Sequence, residues 1–278
     1  MSPRRVRTRG RLDGRGRAVG VMAGSGSLVL LRHGESTANA AGTFTGSRDV
    51  ALSERGLEQS RRAAEALVEA GLLPDLVLTS RMLRARRTAS AMLPVLARER
   101  PAPPVVETWR LNERDYGLLM GMPKTEVRAR FGPEVYFDWR RTRHGRPPGL
   151  APDQRAGLGL VHVDEDPTDP QTAGLPGSGE SLDDVVRRVR PLWPGRLLPE
   201  LRRGATVLVI GHGNSLRALC AVVDDLDDAE LEDLNLPTAQ PIVYRVDAEG
   251  RATPRGGGYL DPDTAWLEAI RIAIEGGT

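Results

Sequence analysis

The sequence contains a single cysteine, Cys220, among 278 residues, which excludes an intramolecular disulfide and a metal site with several cysteine ligands. No apolar run approaches the roughly 18–20 residues that span a bilayer, which argues against a membrane protein. Of the 39 basic residues, every one except Lys124 is an arginine. Such a skew fits genomic base composition, so arginine content alone indicates no function. With 40% hydrophobic and 27% charged residues, the composition is typical of a soluble globular protein of one or two domains.

Residues 1–27 differ in charge from the rest of the chain. They hold seven arginines and one acidic residue, Asp13, a local charge of +6; the whole chain carries +2, so the remainder is near −4. Three interpretations are open: a disordered arm touching nucleic acid, a targeting segment, or a mis-assigned start with Met22 as the first residue. We favour a dispensable disordered leader or false start, because the segment lacks apolar periodicity. It has no secretory apolar region, so we expect a cytoplasmic protein.

From Leu28 onward, short apolar runs alternate with amphipathic segments. The predicted strands cover 28–31, 76–78, 105–106, 206–210 and 242–246, and the predicted helices cover 53–70, 81–96, 182–201 and 215–223. This alternation predicts an α/β protein with a largely parallel sheet. Residues 144–179 are rich in glycine, proline and aspartate and lack a clear period, which predicts a lid loop or a disordered segment.

Two predicted strands run into similar motifs, Arg32-His33-Gly34-Glu35-Ser36 and Gly211-His212-Gly213-Asn214-Ser215. The carboxyl ends of parallel strands form one ligand-binding edge, so we expect His33 and His212 to lie together. The glycines let backbone N–H groups approach an anion, and the helix after Asn214 adds its positive end. Arg32 would repel a metal ion but suits a phosphoryl group. A neutral imidazole is a competent nucleophile toward phosphorus, and we expect no metal.

These two motifs resemble the signatures of the histidine phosphatase superfamily. Other stretches resemble its cofactor-dependent phosphoglycerate mutase branch: Phe44-Thr45-Gly46, Thr79-Ser80 with Arg84-Ala85, Leu111 to Leu118, Trp139-Arg140-Arg141, Leu234 to Thr238, and Arg255-Gly256-Gly257. The resemblance covers about residues 28–270 and implies a three-layer α/β/α sandwich with a mostly parallel sheet. It implies a catalytic domain over 28–250 and a carboxyl-terminal tail, 251–278, that packs near the active site.

The resemblance also implies roles for individual residues. His33 would carry the phosphoryl group, with His212, Arg32 and Arg84 stabilising the transferring phosphoryl oxygens. Glu113 would move the proton of the substrate hydroxyl. The residues implied in substrate binding are Ser36, Asn39, Thr45, Gly46, Arg114, Tyr116, Lys124, Arg140, Arg141, Gly213 and Asn214. The implied activity is interconversion of 2-phosphoglycerate and 3-phosphoglycerate, primed by 2,3-bisphosphoglycerate and independent of metal.

Some positions depart from the pattern of that branch. Ala38 and Ser47 stand where it commonly has tryptophan, residues 144–179 keep little of its pattern, and Gly179 is typical of phosphatases. The alternative function is therefore a phosphohistidine phosphomonoesterase acting on a small phosphorylated metabolite. A nucleic-acid-binding protein using the leader is disfavoured by the intact nucleophile. We expect small-molecule phosphoglycerates as partners, with neither nucleic acid nor membrane, and leave homo-oligomerisation open.

Overall fold

The computed structural model describes residues 25–155, 157–161 and 178–274. The strands are β1 (Gly26–Arg32), β2 (Leu76–Thr79), β3 (Val105–Glu107), β4 (Thr206–Gly211), β5 (Ile242–Val246) and β6 (Ala252–Tyr259). The helices are α1 (Thr37–Ala40), α2 (Glu54–Glu69), α3 (Leu83–Leu96), α4 (Lys124–Phe131), α5 (Pro133–Arg141), α6 (Pro152–Arg155), α7 (Leu182–Val189), α8 (Leu198–Arg202), α9 (Gly213–Asp224), α10 (Asp228–Asp233) and α11 (Pro262–Ile274).

The strands form one six-stranded sheet in the order β3-β2-β4-β1-β5-β6. The first four strands in this order are parallel to one another, whereas β5 runs antiparallel to β1 and β6 antiparallel to β5. The mostly parallel α/β sheet predicted from the sequence is therefore confirmed, with an antiparallel pair at one edge.

Helices cover both faces of this sheet, because alternate residues of its central strands are apolar on both sides. Leu28 and Leu30 of β1 pack into a core that includes α7, α8 and α9, whereas Val29 and Leu31 face α2 and α3. All four side chains are fully buried. The result is the expected three-layer sandwich, with the carboxyl ends of β1 and β4 at one edge of the middle layer.

A third, smaller apolar cluster lies outside this sandwich and was not predicted. It is formed by Phe44, Tyr116, Leu119, Met120, Val127, Tyr136 and Leu150. Helices α4 and α5 contribute to it together with the loop segments around residues 44 and 116–120. The cluster therefore positions these loops beside the edge where the two histidine motifs end.

Several element boundaries differ from the sequence-based predictions. Strand β1 begins at Gly26, so residues 26 and 27 belong to the sheet rather than to the leader. The single helix predicted over 182–201 is instead α7, a π-helical turn over Trp193–Leu197, and α8. Pro191, Pro194 and Pro199 explain the interruption, because proline donates no backbone hydrogen bond and crowds the preceding turn.

The predicted lid and tail are only partly described. Within 144–179 the chain forms α6, buries Leu150, and bridges Arg48 at Leu160. Residues 1–24, 156, 162–177 and 275–278 lie outside the described residues. The segment from 251 contributes β6 and α11. None of the described helices has the length and apolar character needed to cross a membrane.

We predict that Leu30→Ala lowers the free energy of unfolding by about 2–5 kcal/mol, because it opens a cavity at a fully buried position. The matched control is Leu267→Ala on α11, where the leucine is 62% exposed, and its effect should stay within about 0.5 kcal/mol. Both values come from denaturant unfolding. Equal losses in the two variants would contradict the assignment of β1 to the centre of the core.

Candidate active site

The pairing of β1 with β4 brings the two histidine motifs together. Arg32 lies opposite Gly211 in the parallel register, and the next residue, His33, donates its backbone N–H to the Gly211 carbonyl at 3.0 Å. The ring centroids of His33 and His212 are 4.9 Å apart, and both residues are buried. The expectation that these two histidines meet at one sheet edge is confirmed.

Arg84, in the first turn of α3, holds one side of this pair. Its Nε donates to Nδ1 of His212 at 3.1 Å, while its Nη1 and Nη2 donate to the Arg48 and Gly46 carbonyls at 2.9 and 3.0 Å. Burial lowers the pKa of Arg84 to about 10, so the guanidinium stays charged at neutral pH. A fixed positive charge thus lies against the two imidazoles.

The hydrogen bonds determine which ring nitrogen carries the proton in each histidine. Nδ1 of His212 accepts from Arg84, so the proton is on Nε2, which donates to Oγ of Ser80 at 2.7 Å. In His33, Nδ1 lies 2.6 Å from the carbonyl of Gly34, which can only accept. Nδ1 therefore carries the proton of the neutral His33 ring, and Nε2 keeps its lone pair.

Burial and neighbouring cations keep both rings neutral. The pKa of His33 is well below its ordinary value, first through burial and then through Arg84 and Arg32. The pKa of His212 is also well below its ordinary value, first through burial and then through Arg84 and His33. A buried positive neighbour disfavours a second positive charge. His33 therefore presents an unprotonated nitrogen at neutral pH.

The carboxylate of Glu113 contacts the start of α9. Its Oε1 accepts from the backbone N–H of Arg114 at 2.8 Å and from the backbone N–H and Nδ2 of Asn214, each at 3.2 Å. Nδ2 of Asn214 also donates to the hydroxyl of Tyr116 at 3.1 Å. The structure therefore brings Glu113, Asn214 and Tyr116 together beside His212, and all of these bonds to Glu113 involve Oε1.

Arg114 is fully buried under Tyr116. Its Nε and Nη2 donate to the carbonyls of Glu180 and Gly145 at 2.7 and 2.6 Å, and its guanidinium lies 5.2 Å from the Tyr116 ring centroid. Nη1 is also buried and has no hydrogen-bond partner within the described part of the chain. Burial lowers the pKa of Arg114.

The expected cations of α4 and α5 have different surroundings. Arg140 is buried, donates to the Tyr136 hydroxyl, and lies 5.6 Å from the ring centroid of Phe44. Nη2 of Arg141 donates to the backbone carbonyls of Glu232 and Leu234. Lys124 is the first residue of α4.

The remaining predicted residues shape the loops. Ser36 and Asn39 form a capping box at α1 through reciprocal side-chain and backbone hydrogen bonds. Gly46 has φ +55°, and a Cβ there would lie 2.7 Å from the Met120 side chain, so glycine fits where a larger residue would not. Thr45 lies next to it, and Gly213 begins α9. The side chain of His144 is exposed.

Four residues around the site were given no role from the sequence. Ser80 accepts from His212, and Oδ2 of Asp115 accepts from Ser47 at 2.8 Å. Arg188 and Arg217 are both buried arginines. Ser80 and Asp115 lie within stretches that carry the family resemblance, and Arg217 follows the second histidine motif by two residues, whereas no sequence signal marked Arg188.

Arg217 links Asn214 to the end of α5. Its Nη1 donates to Oδ1 of Asn214 at 3.1 Å, and its Nη2 donates to the carbonyls of Arg141 and Leu231 at 3.1 and 2.5 Å. Because Oδ1 is bound in this way, Nδ2 of Asn214 must face Glu113 and Tyr116. Arg217 thus fixes the orientation of the Asn214 amide.

This arrangement favours phosphoryl chemistry. A neutral histidine with a free lone pair lies beside a buried guanidinium, a helix amino terminus and a carboxylate, which is a setting for a tetrahedral anion and a proton transfer. Among residues 25–155, 157–161 and 178–274, no group of three or more His, Cys, Asp or Glu side chains could hold a metal ion.

Comparisons with known proteins agree with this chemistry. The family model described as histidine phosphatase superfamily (branch 1) matches residues 28–157 and 160–255. Proteins named 2,3-bisphosphoglycerate-dependent phosphoglycerate mutase are similar: the one from Thermobifida fusca is 45% identical, covering 88% of this chain and 98% of the relative. The one from Clavibacter sepedonicus is 43% identical over 92% of this chain and 99% of the relative.

Solved structures share the fold. A mycobacterial glucosyl-3-phosphoglycerate phosphatase, solved with VO3, superposes with a TM-score of 0.58 and 26% identity, covering 78% of this chain and 90% of that one. A structure titled mycobacterial hydrolase 1 superposes with a TM-score of 0.60 at 24% identity, over 82% of this chain and 95% of that one.

We predict that His33 and His212 both stay neutral from about pH 8 down to the ordinary histidine value of 6.5. Nitrogen NMR should show the proton on Nδ1 of His33 and on Nε2 of His212, with His33→Asn used to assign the signals. Because the unfolded chain takes up these protons more readily, the free energy of unfolding should fall as pH drops below 6.5. A midpoint at or above 6.5 for either ring would contradict the electrostatics described.

Proposed function

The chain belongs to branch 1 of the histidine phosphatase superfamily, and on that basis we propose that it interconverts 2-phosphoglycerate and 3-phosphoglycerate through a phosphohistidine at His33. The observation that carries the proposal is the similarity, over nearly the full length, to proteins named as phosphoglycerate mutases. The small-molecule phosphoglycerates are its proposed partners. Their formation and use within the cell make the cytoplasm the proposed location.

In this proposal His33 is the nucleophile. Its Nε2 lone pair forms an N–P bond while the P–O bond of the phosphate ester breaks, and the departing oxygen takes up a proton. Arg84 and Arg32 offset the negative charge spread over the phosphoryl oxygens, which is the main requirement of phosphoryl transfer. Nε2–H of His212 can donate to a phosphoryl oxygen in place of Ser80.

Glu113 is the proposed proton donor and acceptor for the substrate hydroxyl. Its Oε1 is held by Arg114 and Asn214, which leaves Oε2 to exchange the proton. When the phosphoryl group returns from His33, the same carboxylate removes the proton from the attacking hydroxyl. The hydroxyl that lies at Glu113 is therefore the one that receives the phosphoryl group.

The residues present fit a bisphosphorylated acid. The buried Nη1 of Arg114 has no partner in the described part of the chain, and a buried guanidinium donor is well matched to an anionic oxygen. Arg114, Tyr116, Lys124 and Arg140 would hold its carboxylate and second phosphate. When bound, 2,3-bisphosphoglycerate supplies the phosphoryl group that primes His33.

A phosphomonoesterase is the second candidate. Its support is the structural similarity to a protein titled as a glucosyl-3-phosphoglycerate phosphatase, together with Ala38, Ser47 and Gly179 at positions that depart from the mutase pattern. Ser47 fills its position with a hydrogen bond to Asp115. In this alternative, water rather than a second hydroxyl attacks the phosphohistidine.

The direct test incubates the purified protein with 3-phosphoglycerate and follows 2-phosphoglycerate against free phosphate, with and without 2,3-bisphosphoglycerate. We expect 2-phosphoglycerate as the main product and stimulation by the bisphosphate. His33→Ala should lower turnover by more than about 1000-fold and should no longer take up acid-labile phosphate from 2,3-bisphosphoglycerate. His144→Ala, at an exposed histidine, should keep both the turnover and the phosphate label. Free phosphate as the main wild-type product would favour the phosphatase, and labelling of His33→Ala would overturn the nucleophile assignment.

We further predict that Lys124→Ala and Arg140→Ala lower mutase turnover about 10- to 150-fold, the effect of losing a charge-assisted hydrogen bond of roughly 1.5–3 kcal/mol. Hydrolysis of a small generic phosphate ester should fall much less, because such an ester lacks the distal anionic groups. Arg128→Ala removes an exposed cation from the same helix as Lys124 and should change neither rate. Equal losses of transfer and hydrolysis in the first two variants would contradict the mutase assignment.

A further inference from the structure

A buried arginine on α7 holds the backbone on which Glu113 is carried. Nη1 of Arg188 donates to the carbonyl of Arg110 at 2.6 Å, and its Nη2 donates to the carbonyls of Asn112 and Glu113 at 2.9 and 3.2 Å. Arg188 is only 6% exposed. One guanidinium therefore contacts three of the four backbone carbonyls from 110 to 113, although 75 residues separate it in sequence from Glu113.

The carboxylate of Glu180 holds the guanidinium of Arg188, and Glu180 also contacts the backbone that follows Glu113. Its Oε1 and Oε2 accept from Nε and Nη2 of Arg188 at 2.9 and 3.1 Å, a two-point contact. Its Oε2 also accepts from the backbone N–H of Asp115 at 2.8 Å, and its backbone N–H donates to the Asp115 carbonyl at 2.8 Å. The backbone is thus held on both sides of Glu113.

The carboxylate of Glu113 depends on this support. Its two contacts to Asn214 are each 3.2 Å, at the long end of the normal range for such bonds. The third, to the N–H of Arg114, comes from the segment that Arg188 and Glu180 hold. A small movement of this backbone would therefore carry the carboxylate away from Asn214.

We propose that Glu180 and Arg188 are positioning residues for proton transfer by Glu113. Neither is assigned a contact with substrate; they act by fixing the backbone that carries the carboxylate. The inference rests on the proposed function insofar as Glu113 exchanges the proton of an ester oxygen. It extends that function by naming two charged residues that set the position of the Glu113 carboxylate during proton transfer.

The neighbouring residue provides a matched control. Arg187 lies on the same helix, but its side chain is 62% exposed and its ion pairs are with Asp183 and Asp184 of the same turn. Arg187→Met and Arg188→Met make the same chemical change one residue apart. Only the second removes donors from the backbone around Glu113.

Two phosphate esters separate positioning from general structural damage. Release of an alkoxide from glycerol phosphate requires a proton from the enzyme, whereas the weakly basic nitrophenolate of 4-nitrophenyl phosphate leaves without one. We expect Arg188→Met to slow His33 phosphorylation by glycerol phosphate about 10- to 100-fold, as for a misplaced reacting group, and by 4-nitrophenyl phosphate less than about threefold. Glu113→Gln should show the same selectivity, and Arg187→Met should resemble wild type with both esters.

Equal losses with the two esters, or no loss with either, would overturn the proposal. If Arg188→Met does not fold, as judged by its thermal unfolding, Glu180→Gln decides in its place, because it keeps the side-chain shape while weakening the pair. The proposed mutase function is tested separately by wild-type conversion of 3-phosphoglycerate. A wild-type enzyme that only hydrolyses esters would reject the mutase function and still allow the ester comparison to test the positioning pair.

Discussion

The site depends on one buried positive charge, the guanidinium of Arg84. It donates to His212 and to two loop carbonyls, so its position is fixed from three directions. Burial is the larger cause of the low pKa of His33 and His212, and the charge of Arg84 lowers both values further. By donating to Nδ1 of His212, Arg84 also selects the ring nitrogen that carries the proton. The location of the proton on His212, part of the low pKa of both imidazoles and the positive charge available to an anion therefore all involve Arg84.

The central part of the fold and the histidine pair could be predicted from local sequence. Residues 28–31 and 206–210 are apolar on both faces, which indicates buried parallel strands, and such strands end at one edge. Boundaries were less accurate where several prolines interrupt a helical pattern, as between α7 and α8. The cluster around Phe44 and Tyr136 was missed because its members lie on short loops and helices without a clear period.

The contacts that complete the site could not be predicted, because they join distant segments through backbone carbonyls. A carbonyl is present at every residue, so no sequence pattern marks the ones that Arg188 or Arg217 will bind. Arginine abundance made these two residues inconspicuous among many others. Both buried arginines hold distant backbone segments together by hydrogen bonds to their carbonyls. A planar guanidinium with several donors can bind several carbonyls that a lysine ammonium could not reach together.

The direction of β1 also has a practical consequence. His33 follows its carboxyl end, and Gly26 lies at the opposite end of a seven-residue strand, about 20 Å away at the usual rise per residue. A fluorophore or surface tether joined to the chain just before Gly26 would therefore be anchored on the side of the sheet away from the histidines. Immobilisation through that end should leave the edge that carries the two histidines facing outward, a useful orientation for a sensor surface.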